Sequence, residues 1–124
     1  MNTIEDIVLR YSERGMKDIR PYVSTDCCHK AAKEILSWER GNVFLTTGFY
    51  VAGYAETDGP VGTLTLALAL KKLGFTPIML TDSYCEGFFE EQPVGVEYVS
   101  TDAGKNELDE LVAKYRPVGM ISVE

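Results

Sequence analysis

The run Val43-Phe-Leu-Thr-Thr47, the stretch Val61-Gly-Thr-Leu-Thr-Leu-Ala-Leu-Ala-Leu70 and the run Thr76-Pro-Ile-Met-Leu-Thr81 read in order as strand, helix and strand. Short apolar runs suit strands covered on both faces, and a longer Leu/Ala-rich stretch suits a helix. The alternation continues through Val94-Gly-Val-Glu-Tyr-Val99 and Val118-Gly-Met-Ile-Ser-Val123. Helices are expected from Pro60 to Leu73, from Tyr84 to Glu91 and from Asn106 to Tyr115, the last with Glu107, Asp109 and Glu110 at its positive end. Such alternation predicts a doubly wound, mostly parallel, Rossmann-like three-layer α/β sheet of about four strands. Pro93 and Glu97 place the third strand at an edge.

Upstream, the spacing of Ile4, Ile7, Val8 and Tyr11 marks one face of a helix that ends at Gly15. After Pro21, Asp26 is the expected N-cap of a second helix from Cys27 to about Glu39, closed by Gly41, with Cys28, Ala31, Ala32, Ile35 and Trp38 sharing a face. The expected organisation is one α/β domain over 1–124, with N-terminal helices to residue 40 and a βαβ core from 41.

Two features suggest that the domain is incomplete. The central helix is apolar almost all round, as in helices covered on more than one side. The chain also stops at Glu124, where a last strand should deliver residues to the rim that binds ligands in open parallel sheets. A partner copy in a homo-oligomer or a missing C-terminal portion answers both.

The 124 residues are 45% hydrophobic and 25% charged, with a net charge of −7. Lys/Arg and Asp/Glu balance up to residue 40, so the excess of acid lies in the core, and an acidic surface repels phosphate backbones. Nucleic acid is therefore not an expected partner. Neither is a membrane, because no run approaches spanning length and the first ten residues carry Glu5 and Asp6 instead of a signal peptide's pattern. Three cysteines argue against a disulfide framework and for a cytoplasmic location.

Thirteen residues, Gly48 to Pro60, join the first strand to the central helix. That is long for such a connection and points to function. Asp58 suits an N-cap, Gly59 permits close backbone approach and Pro60 suits the first helical position. The amides of Val61, Gly62 and Thr63 would then face an anion. Glu56 and Asp58 bring two carboxylates to the same point, able to bind an ammonium, share a divalent metal ion or serve as acid and base. Asp58 also reads as a simple cap, and Gly62 as a glycine admitting close helix–sheet approach. Phe49, Tyr50 and Tyr54 either wall a pocket or pack the loop.

The block Thr46-Thr-Gly-Phe-Tyr-Val-Ala-Gly-Tyr-Ala-Glu-Thr-Asp-Gly-Pro-Val-Gly-Thr63, with Leu66-Ala-Leu-Ala-Leu-Lys-Lys-Leu-Gly74 and Pro77-Ile-Met-Leu-Thr-Asp82, resembles the C-terminal domain of D-glutamate cyclases and their relatives. Arg14-Gly15-Met16 and Ile121-Ser-Val-Glu124 extend the likeness, while the Arg-Pro-Gly segment that follows the last strand in that family is not present. The resemblance implies a lyase that reversibly dehydrates D-glutamate to 5-oxo-D-proline. It implies catalytic roles for Glu56, Asp58 and Asp82, the last at the carboxyl end of the second strand. It implies substrate binding by Arg14, Thr47, Gly48, Tyr50, Thr57, Gly59, Val61, Gly62, Thr63 and Glu124. The alternative is a non-catalytic amino-acid or anion-binding or assembly module.

Cys27-Cys28-His29 lacks the usual spacing of zinc ligands, and His29 is the only histidine. Gly59-Pro-Val-Gly62 lacks the Gly-Lys-Ser/Thr of a phosphate-binding loop, and the glycines fit no dinucleotide fingerprint, so no nucleotide cofactor is expected.

Overall fold

The computed structural model describes residues 3–11, 13–48 and 50–123. The chain divides into two compact units, Met1–Trp38 and Glu39–Glu124.

The first unit holds α1 (Ile4–Val8), α2 (Met16–Ile19), a 3-10 turn at Arg20–Tyr22 and α3 (Cys27–Ser37). Thr3 and Asp6 form a capping box at the start of α1. The expected apolar face of α1 is not buried within its unit, since Ile4, Ile7, Val8 and Tyr11 are all exposed. Asp26 does precede α3, but it adopts a left-handed conformation (φ 64) and its side chain makes no capping bond. The carboxylate of Glu5 takes that role, with its Oε1 accepting the Cys28 amide.

In the second unit, β1 (Asn42–Thr46), β4 (Thr76–Thr81), β5 (Gly95–Tyr98) and β6 (Gly119–Ser122) form one sheet in the order β5-β4-β1-β6, all pairs parallel. The chain runs outward from β1 to β5 and then returns to the other side of β1, which is the doubly wound pattern read from the sequence. β5 occupies the expected edge.

Between these strands lie α4 (Asp58–Lys72), α5 (Glu86–Phe89) and α6 (Lys105–Tyr115). The period of two sorts the strands: Phe44, Ile78 and Leu80 share one face, where Val99, Leu111 and Tyr115 pack on them. The rings of Phe44 and Tyr115 meet edge-to-face at 5.9 Å. Val43, Leu45 and Met79 are fully buried on the opposite face, and α4 packs on β4 and β1 through Thr63, Ala67 and Leu70.

At the edge, Glu97 Oε1 accepts from Lys114 Nζ at 2.6 Å and from the Tyr115 hydroxyl. Lys114 first, then Tyr115, hold the Glu97 carboxyl below its ordinary value. A depressed carboxylate contributes stability above its unfolded pKa and loses it as pH falls through the folded value. Glu97→Gln is therefore expected to flatten the acid side of a melting-temperature profile, with a cost at neutral pH on the order of 1 kcal/mol or less because the pair is partly solvated. Calorimetry across the carboxylate range measures it.

The long connection after β1 is not irregular. It contains a hairpin of β2 (Tyr50–Val51) and β3 (Tyr54–Ala55). Its two-residue turn has positive φ at both Ala52 (52°) and Gly53 (96°), the primed geometry that matches strand twist.

Helix α4 begins two residues earlier than expected, with Thr57 as its N-cap and Pro60 at the third helical position. Asp58 Oδ1 accepts the Gly59 amide at 3.0 Å, and Pro60 has no N–H to leave unsatisfied, so this end tolerates the proline. No helix among the described residues is long and apolar enough to cross a membrane.

Candidate functional site

The carboxyl ends of β1, β4 and β5 open into a cavity of about 360 Å³. Its walls come from Thr46, Thr47 and Gly48 at the end of β1, Leu80, Thr81 and Asp82 at the end of β4, Val99, Ser100 and Thr101 after β5, with Tyr50 from the hairpin and Leu108 from α6. Strand order creates it. Three parallel strands end together, so three successive loops deliver side chains to one rim.

The strand ladder continues past the ends and fixes these loops. The Thr47 amide donates to Leu80 O at 3.2 Å, and the Val99 amide to Thr81 O at 2.7 Å. Asp82 Oδ1 caps the following 3-10 turn (Ser83–Cys85) by accepting the Tyr84 amide at 2.8 Å. The ring of Tyr84 lies 4.4 Å from that of Tyr50, which ties the hairpin to the loop after β4. Gly48 is the closest backbone approach. A Cβ there would lie 2.8 Å from Asp82 Oδ2 and 3.2 Å from Thr81 Oγ1, and its φ of +133° is a glycine conformation.

Thr81 is the most informative residue of the wall. It is 3% exposed, and its Oγ1 has no hydrogen-bond partner among the described residues. A buried hydroxyl without a partner costs roughly 1–3 kcal/mol. Asp82 is the single carboxylate among the described lining residues, while hydroxyls and the apolar Leu80, Val99 and Leu108 supply the remainder.

Of the residues expected from the sequence, Thr47, Gly48, Tyr50 and Asp82 converge here. Glu56, Thr57 and Asp58 are exposed and do not line the cavity. Gly59 and Thr63 are buried in the first turns of α4, where Thr63 Oγ1 donates to Gly59 O at 2.7 Å. Because α4 starts at Asp58, the amides of Val61, Gly62 and Thr63 fall inside the helical ladder instead of facing an anion. The free amides belong to the residues before Pro60, and Gly59's is taken by Asp58.

A Cβ at Gly62 would meet only Val123 Cγ1 at 3.9 Å, an ordinary contact, so close helix–sheet packing does not require this glycine. Arg14 lies in the first unit and is exposed. Tyr54 is exposed and does not wall the cavity. Glu124 and Phe49 lie outside the described residues.

Sequence reasoning missed Thr46, Thr81, Ser100, Thr101 and the three apolar wall residues. The signal was present for Thr81: it ends the second strand, directly before Asp82, at the rim where such sheets bind ligands.

A family model described as D-glutamate cyclase-like, C-terminal, matches residues 4–116. No curated protein and no solved structure matches the chain.

Proposed function

This chain belongs to the D-glutamate cyclase-like family, in its C-terminal domain, and we propose that its rim cavity binds D-glutamate and closes it to 5-oxo-D-proline. The observation that carries this reading is the partnerless Thr81 hydroxyl beside the Asp82 carboxylate in one cavity.

In the forward reaction the amine nitrogen attacks the side-chain carboxyl carbon. A C–N bond forms, a C–O bond breaks, and two protons of the ammonium leave with one carboxylate oxygen as water. Asp82 receives the ammonium, takes its protons in turn and passes them to the departing oxygen. The Thr81 and Ser100 hydroxyls donate to the oxyanion of the tetrahedral intermediate. Leu80, Val99 and Leu108 hold the two methylenes of the substrate and favour the folded conformer that places amine against carboxyl.

The test is incubation with D-glutamate or 5-oxo-D-proline followed by chiral chromatography. Turnover is expected in both directions, with Glu56→Gln within about twofold of the parent because that side chain is exposed and off the cavity. Loss of turnover in a folded Glu56→Gln would move the chemistry to the start of α4. The second reading is a non-catalytic binding module, in which the hydroxyls and the Asp82 carboxylate of the cavity hold a ligand without turnover. Heat of binding in titration calorimetry without turnover would select it.

A further inference from the structure

The adjacent cysteines of the first unit gain a third neighbour that their spacing does not reveal. Glu5 of α1 comes to the start of α3, and its carboxylate oxygen and the two thiol sulfurs of Cys27 and Cys28 all lie within 4.8 Å of one another. Two independent observations concern Glu5. It is 4% exposed, and while Oε1 accepts the Cys28 amide, the buried Oε2 has no partner among the described residues.

We propose that Glu5, Cys27 and Cys28 form a binding site for a borderline-soft divalent cation such as zinc, separate from the rim cavity. Tetrahedral zinc holds such ligand atoms roughly 3.5–3.8 Å apart, given bonds of about 2.0–2.3 Å, so the three groups must draw somewhat closer together to bind it. Two thiolates and one carboxylate suit zinc better than magnesium or calcium, which prefer oxygen alone. Binding releases both thiol protons to solvent and leaves a complex of net charge −1. That charge sits at the N-terminus of the 11-residue α3, whose dipole favours it. A fourth coordination position stays open to water, on the side where Cys28 is exposed. The arrangement also gives Glu5 Oε2 the partner it lacks.

The test uses the full chain, reduced and metal-free, titrated with Co²⁺ as a spectroscopic stand-in for zinc and then with Zn²⁺. One equivalent of Co²⁺ is expected to give thiolate charge-transfer absorption and the intense visible bands of tetrahedral coordination, both bleached by Zn²⁺. Glu5→Gln keeps an oxygen to accept the Cys28 amide, so α3 retains its cap, yet metal affinity is expected to fall by at least the ~10–100-fold that loss of an outer-shell partner costs. Cys27→Ser and Cys28→Ser should each weaken the charge-transfer band, with far-ultraviolet circular dichroism unchanged. A Co²⁺ spectrum without thiolate absorption overturns the proposal. So does an affinity that Glu5→Gln leaves intact. Neither result depends on the rim cavity or on turnover.

Discussion

Replacing Asp82 by Asn is expected to lower D-glutamate cyclisation by about 10²–10⁴-fold, the usual contribution of a positioned acid or base. The substitution isolates charge from shape. Asparagine keeps an oxygen for the Tyr84 amide that Asp82 Oδ1 now accepts, so the 3-10 turn and the Tyr50–Tyr84 stack persist. What disappears is the single carboxylate among the described residues of the cavity wall. The ammonium then has no base to receive its protons and no counter-charge to hold it. An unchanged melting temperature with lost turnover is the expected pair of readings. Turnover preserved in Asp82→Asn would remove Asp82 from the chemistry.

Gly48→Ala is expected to be the most damaging small substitution at the rim. The new methyl would fall 2.8 Å from Asp82 Oδ2, a distance real Cβ atoms do not tolerate, and 3.2 Å from Thr81 Oγ1. The backbone cannot relax by rotation, because φ is +133°, a region in which an L side chain is strained. Strain of this kind costs about 1–3 kcal/mol, and displacing a catalytic group by 1 Å costs about 10²-fold in rate. The variant should therefore lose both melting temperature and turnover, unlike Asp82→Asn. Gly62→Ala is the control: its Cβ meets ordinary contact at 3.9 Å on an exposed helix position, and it should gain roughly 0.5–1 kcal/mol of stability from helix propensity. Equal melting temperatures for Gly48→Ala and the parent would contradict the close approach.

The parallel sheet was legible because its two central strands carry continuous apolar runs, and the alternation of strands with helices leaves few topologies. Strand ends were legible to within a residue or two. The edge position of β5 followed from Pro93, which cannot donate to a ladder.

The start of α4 was misplaced by two residues. A proline marks the first helical position by propensity, but any of the first positions lacks an intrahelical N–H partner, so Pro60 was equally content at the third. That small shift matters, because it moves Val61, Gly62 and Thr63 from anion-facing amides into the ladder. The hairpin in the long connection was missed since its turn, Ala52-Gly53, places a residue other than Asn, Asp or Gly at positive φ.

Only part of the cavity was readable from position alone. Asp82, Thr47 and Gly48 follow strands, and strand ends are where open sheets bind ligands. Ser100, Thr101 and Leu108 were not readable, because which loops converge depends on strand order in space. The first unit shows the same limit: nothing in the spacing of Cys27 and Cys28 announces that Glu5 will cap their helix.

The most direct measurement of the central claim is a titration of the isotope-labelled chain with D-glutamate and with 5-oxo-D-proline, followed by backbone and methyl NMR. The expected result is saturable shifts at Gly48, Thr81, Asp82, Ser100 and Leu108, lost in Thr81→Val, with Glu56 and the amides of Val61–Thr63 little changed. Shifts confined to the first turn of α4, with the β1, β4 and β5 ends unmoved, would contradict it.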